Sequence, residues 1–164
     1  MRIVIADSSV LIGLSQIKCL DLIHDMFPEG VIVPAEVWKE VVEQGHNRPG
    51  ALLVKQTDWI TVKNIKNENL FQILKLDLDN GEAEAIALAK EIDADVILLD
   101  ERDARKIATQ LNINILGTIG ILIWAKQHEK IPVLKKVLDS LIYDAGFRIS
   151  DKLYKMALET VNEL

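Results

Sequence analysis

The sequence predicts an α/β protein: a three-layer α/β/α sandwich around a central parallel sheet. Three observations lead there. Four short, β-branched apolar runs, "RIVIA" (2–6), "GVIV" (30–33), "DVILL" (95–99) and "INIL" (113–116), alternate with helix-like sequence, the arrangement that gives parallel strands with helices on both faces. Apart from Arg2, Asp95 and Asn114 the runs are apolar, as strands buried on both faces are. Two of them end in an aspartate, Asp7 and Asp100. Such positions in a parallel sheet lie at the carboxyl rim, where ligands bind and charge stays hydrated.

Each element has a local reason. Ser8 or Ser9 can cap the helix "SVLIGLSQI" after the first strand, and "LDLIHDMF" reads as a second helical piece. After the strand 30–33, Pro34 fits the first turn of a helix, "AEVWKEVVEQ", which Gly45 ends. The stretch from Gly45 to Asn69 is the least regular; a short helix near 50–56 and an extended piece, "WITVKN", are expected there. Asn80 and Gly81 open the alanine-rich helix "EAEAIALAKEI". Strand 95–99, helix 101–111 and strand 113–116 follow, then helices near 118–129, 133–144 and 151–162, the second starting at Pro132. No repeat, low-complexity tract or linker interrupts the 164 residues, which are most economically one domain.

Composition narrows the chemistry. With 49% hydrophobic and 27% charged residues the chain is globular. Its net charge of −6 argues against a simple polyanion binder, so a nucleic-acid role needs a local basic patch or bound cations. Cys19 is the single cysteine, which excludes a disulfide framework and a thiolate cluster, and it reads as a small buried hydrophobe. "MRIVIADSS" has no signal-peptide plan and "ILGTIGILIWA" is too short to span a bilayer, so a cytoplasmic, non-membrane protein is expected.

The acids carry the functional signal. On a helix over 35–44, Val37, Trp38, Val41 and Val42 form one stripe, Glu36 and Glu43 point away from it, and Glu40 lies on its flank, able to reach over the sheet edge. On the helix 81–92, Glu82 and Glu84 flank the core face on opposite sides, and periodicity does not choose between them. On 101–111, Glu101 and Asp103 flank the inward face while Arg102, Arg105 and Lys106 point outward. Asp7 or Asp100 alone reads equally well as a helix cap, and a single flanking glutamate as a solvated residue. Several carboxylates on one rim suit a hard divalent cation, Mg²⁺ or Mn²⁺, acting on phosphate. His24, His46 and His128 lack zinc spacing, and neither phosphate-binding glycine loops nor nucleophile-elbow signatures occur.

At these residues the chain resembles a family. "IVIADSSVLIGL", "VIVPAEVWKEV", "LDNGEAEAIALA" and "VILLDERDARKIA", in that order, resemble the successive motifs of PIN domains, small α/β nucleases that include the VapC-like toxins. "ILGTIGILIWAK" is similar to a prokaryotic subgroup described as predicted nucleic-acid-binding proteins. The resemblance covers roughly residues 1–130. It implies a single PIN-like domain over 1–164, with 131–164 as a C-terminal helical extension, and a Mg²⁺- or Mn²⁺-dependent endoribonuclease, toxin-like in some relatives. Carried over residue by residue, the family's first acid falls on Asp7 and its second on Glu40. Its third falls best on Glu84, with Glu82 beside it, and its fourth on Asp100 or Asp103. Asp7, Glu40, Glu84 and Asp100 are thus the implied catalytic residues, and these with Asp103 the implied metal ligands. The sequence departs from the family at two points: glutamate replaces the third aspartate, and the Thr or Ser near the fourth acid has no equivalent unless Ser8 or Ser9 serves.

The implied mechanism is in-line attack of a metal-activated water on phosphorus, with Arg102, Arg105 and Lys106 positioning the RNA backbone, or merely forming a solvated basic face. The alternative class is a nucleic-acid- and metal-binding module without turnover. A phosphoacceptor receiver-like domain also clusters acids, but it needs paired acids after its first strand and a lysine after its last, which "ADSS" and "ILGT" do not supply. Single-stranded or structured RNA is the expected partner. The apolar segment 20–27 and the C-terminal helices are the expected faces for a homodimer or an antitoxin-like protein.

Overall fold

The computed structural model describes residues 1–164. Five strands, β1 (Val4–Ala6), β2 (Val31–Pro34), β3 (Ile60–Lys63), β4 (Val96–Leu98) and β5 (Ile115–Leu116), form one parallel sheet in the order β3-β2-β1-β4-β5. The chain winds outward from β1 to β3, returns to the centre, lays β4 on the other side of β1 and continues to β5. The winding direction therefore reverses between β1 and β4, the crevice where open α/β sheets bind ligands. Ala6 pairs with Leu98, so Asp7 and Asp100 leave neighbouring strands at one rim.

Alternation along the strands builds the two cores. Val4, Ala6, Val96 and Leu98 face one side, where they pack with α1 (Ser8–Gln16), α2 (Asp21–Met26), α4 (Ala51–Gln56), α8 (Thr118–Gln127), α9 (Leu134–Tyr143) and α10 (Asp151–Thr160). Ile5, Ile97 and Leu99 face the other, against α5 (Glu68–Leu74), α6 (Asn80–Glu91) and α7 (Arg102–Gln110). Helices thus cover both faces of the sheet, which is the three-layer α/β/α architecture the alternation predicts.

The differences from the sequence reading are local. Asp7, with extended backbone, takes the N-cap position of α1 rather than Ser8 or Ser9, yet its carboxylate makes no cap bond. The helix expected over 35–44 splits into α3 (Ala35–Trp38) and a π-helical turn, Lys39–Glu43, closed by the Gln44 N–H donating to the Lys39 carbonyl at 2.7 Å. The piece "WITVKN" contributes β3, an edge strand whose side chains are mostly exposed. Helix α5 was not anticipated. Helix α9 starts at Leu134 with Val133 as its N-cap, two residues past Pro132. In segment 20–27, Leu20, Leu22, Ile23 and Phe27 are buried in the core, and Asp21, His24, Asp25 and Met26 form its outer side. No helix is long and apolar enough to cross a membrane.

Candidate metal centre

The carboxyl rim gathers its side chains from four elements. β1 delivers Asp7, whose N–H donates to the Leu98 carbonyl at 3.0 Å, tying it to the sheet. Its carboxylate is 2% exposed; Oδ2 accepts a long bond from Ser9 Oγ (3.4 Å), and Oδ1 is buried without any hydrogen-bond partner. Burial raises its pKa to about 7, and the nearby charges of Asp79 and Glu40 push the same way, against the lowering effect of the adjacent Ser8 N–H and the Ser9 hydroxyl.

The π-turn delivers Glu40. The wider turn adds a residue to the helical path, a device that recurs at functional sites. Ser8 Oγ donates to Glu40 Oε2 at 3.0 Å, joining the start of α1 to this turn. Burial raises the Glu40 pKa, opposed by the Ser8 bond and reinforced by Asp79 and Glu36. Gly81, in the first turn of α6, makes room for it: a Cβ there would collide with Glu40 Oε1. Gly81→Ala should therefore leave the fold intact, since alanine favours a helix by about 0.5–1 kcal/mol over glycine. It should nevertheless push the mobile end of Glu40 off Ser8. Unchanged or raised thermal stability with at least about fivefold weaker Mn²⁺ binding by calorimetry is the expected pair of results.

The start of α6 delivers Glu82 and Asp79. Asp79 is the N-cap: its Oδ1 accepts the Glu82 N–H at 2.8 Å, and Glu82 Oε1 accepts the Asp79 N–H at 3.3 Å. This reciprocal box holds Glu82, 8% exposed, near enough to Asp7 to feel its charge. Burial raises the Glu82 pKa strongly, and Asp79 and then Asp7 add to the shift. Glu84 goes elsewhere. It is 7% exposed, and its Oε1 accepts the Glu36 N–H at 3.2 Å, satisfying a first-turn donor of α3. Burial raises its pKa against that bond, with Glu36 and Glu68 as its charged neighbours.

β4 delivers Asp100. It does not cap α7; Glu101 does, accepting the Ala104 N–H at 2.8 Å. Asp100 instead reaches across to the start of α8, where Oδ1 accepts the Thr118 N–H and Oδ2 the Thr118 hydroxyl, both at 2.7 Å. Burial raises the Asp100 pKa, while the Thr118 bonds and the Arg105 charge oppose the rise. Asp103 stays exposed on the first turn of α7.

The structure thus brings Asp7, Glu40 and Glu82 into one electrostatic group, sets Asp100 on the adjacent strand end, and directs Glu84 to α3. Sequence reasoning missed Asp79 and Thr118. Asp79 was legible as the first letter of an Asp-x-x-Glu capping box before an apolar run. Thr118 had no local signal, since its partner lies 18 residues away.

The donor set fits a hard divalent cation. Every candidate ligand is a carboxylate oxygen, and the partnerless, buried Asp7 Oδ1 is the kind of atom a cation satisfies. No three His, Cys, Asp or Glu side chains come together as a group that could hold a metal ion; Mg²⁺ keeps several waters and needs only one or two protein carboxylates.

A family model described as a PIN domain matches residues 3–163, including the C-terminal helices. Comparison with curated proteins gives no match. PIN domains are typically nucleases that use divalent metal ions. With that match running from β1 to the end of α10, over a parallel sheet whose central strands both end in buried or half-buried aspartates, the chain belongs to the PIN-domain family.

Proposed function

We propose that the chain is a Mg²⁺- or Mn²⁺-dependent endoribonuclease whose centre is Asp7, Glu40, Glu82 and Asp100. The observation that carries the reading is Asp7: a buried carboxylate, crowded by other acids, with an oxygen left unbonded. A divalent cation bound there supplies Lewis-acid stabilisation of a phosphoryl oxygen and an acidified water. The protein's part is to hold the carboxylates. Asp7 and Asp100 come from the ends of the two central strands, with Asp100 pinned by both Thr118 bonds. Ser8 fixes Glu40, and the Asp79 box fixes Glu82. Glu82, its pKa raised by burial, is the member best able to hold a proton at neutral pH. Glu84 acts at one remove, anchoring the helix that leads into the Glu40 turn.

The test is incubation of single-stranded and hairpin RNAs with wild type and Asp100→Asn, with Mg²⁺, Mn²⁺ or EDTA. Metal-dependent cleavage that falls at least about 100-fold in the variant and vanishes in EDTA is expected. Equal cleavage in both preparations would point to contamination. Intact RNA and metal binding without cleavage would favour the binding module. Within the same reading the chain is a toxin-like component, and its expression arrests growth only while Asp7 is intact.

A further inference from the structure

Beside Asp100 the rim opens into a cavity of about 530 Å³ that the acid cluster does not explain. Three arginines line it: Arg102 and Arg105 from α7, and Arg148 from the segment between α9 and α10. The salt bridges of the chain are Lys126–Glu163 and Lys135–Asp139, so none of the three guanidiniums forms one, and only Arg105 has an acid, Asp100, near enough for its charge to be felt. Arg105 is half-buried and held at the mouth, where Nη1 donates to the Leu99 carbonyl at 3.1 Å. Gly117 joins the cavity to the rim. A Cβ there would stand 2.6 Å from Arg105 Nη1 and 2.9 Å from Asp100 Oδ1, so acid and base meet across a bare backbone. The remaining wall is apolar, with Ile119, Ile123 and Phe147 prominent.

Three arginines at one cavity, none in a salt bridge and only Arg105 beside an acid, in a chain of net charge −6, call for an anionic ligand. A bare phosphate would leave the apolar wall uncovered, and the volume suits a small organic molecule. An anion joined to a flat, apolar-faced ring meets both walls, and that is the chemistry of a nucleotide.

Resting on the nuclease reading of the rim, we propose that this cavity seats one nucleotide of the RNA strand next to the scissile phosphate, which a cation at Asp7 and Asp100 would hold. Arg102, Arg105 and Arg148 take its phosphate, and Phe147 lies against its base. The C-terminal segment is then part of substrate recognition, since it supplies both Phe147 and Arg148.

The experiment titrates the full chain, in EDTA to prevent turnover, with a labelled single-stranded RNA of about ten nucleotides, and competes it with uridine or adenosine monophosphate. Arg148→Ala and Phe147→Leu, which keeps an apolar side chain, are compared with wild type and with Lys136→Ala on the exposed face of α9. Arg148→Ala should weaken binding about tenfold and flatten the dependence of log K on log salt by about 0.7. Phe147→Leu should weaken it about fivefold or more, as loss of a base-stacking platform does. With metal present, Arg148→Ala should raise KM and leave kcat within about twofold. Unchanged RNA affinity and KM in both variants would overturn the proposal, even if Asp100→Asn abolished cleavage. Displacement by an acidic peptide but not by a mononucleotide would overturn it in favour of a protein partner. Arginine-dependent RNA binding without metal-dependent cleavage would uphold the cavity and refute the nuclease reading.

Discussion

Asp7→Asn should make the metal-free protein more stable, by roughly 2–4 kcal/mol at pH 8, while reducing metal-dependent cleavage at least about 100-fold. Burial, with Asp79 and Glu40 nearby, holds the Asp7 pKa at about 7 against a usual 3.8, so folding favours its protonated form. The stability from that raised value is fully present below the unfolded pKa and is lost as pH rises through the folded one. Wild type should therefore weaken between about pH 4 and pH 7 through this residue, and Asp7→Asn should not. Chemical denaturation of both proteins in EDTA, from pH 4 to pH 8, measures the difference. Added Mn²⁺ should then stabilise wild type and leave the variant unchanged, by mass action on the folded state. An asparagine variant less stable than wild type at pH 8, or equally stabilised by Mn²⁺, would remove Asp7 from the centre.

The second large effect separates two glutamates a single residue apart. Glu82→Gln should weaken Mn²⁺ binding and lower cleavage by about 10- to 100-fold, because Glu82 shares the electrostatic group of Asp7 and Asp79. Glu84→Gln should keep activity within about threefold, since a glutamine oxygen still accepts the Glu36 N–H. Glu84→Ala, which removes that acceptor, should cost about 1 kcal/mol of stability, the usual scale for a lost helix-start bond. Parallel cleavage assays and melting curves on the three variants decide. A greater loss of activity in Glu84→Gln would restore the assignment that family resemblance favours and displace the geometric one.

What the sequence made legible follows from solvent contrast. β1, β2 and β4 are buried on both faces and announce themselves as apolar runs, whereas β3 lies exposed at the sheet edge and reads as a vague extended piece. Helix α5 buries only Leu74 fully, too little to mark a face. The tie between Glu82 and Glu84 has the opposite cause: Gly81 through Ala89 are all buried, so α6 has no wet side there for periodicity to find. Asp7 and Asp100 were legible because a charge closing an apolar strand is conspicuous. Their partners were not. Ser8 on Glu40 and Thr118 on Asp100 are contacts across the fold, and the π-turn that carries Glu40 leaves no mark in a repeat of 3.6.

Parallel connectivity has one more effect. A helix following a parallel strand begins where that strand ends, so α1, α7 and α8 start at the carboxyl rim beside β1, β4 and β5, and α6 starts there against Glu40 and Asp79. Each start contributes about half a positive elementary charge from aligned peptide dipoles. The main chain thus works as a built-in counter-ion, softening the mutual repulsion of the acids before any cation arrives. In a combined Asp7→Asn and Asp100→Asn protein these positive poles would face only Glu40, Asp79 and Glu82, so the rim would keep its acids in part while losing much of the repulsion that the main chain offsets.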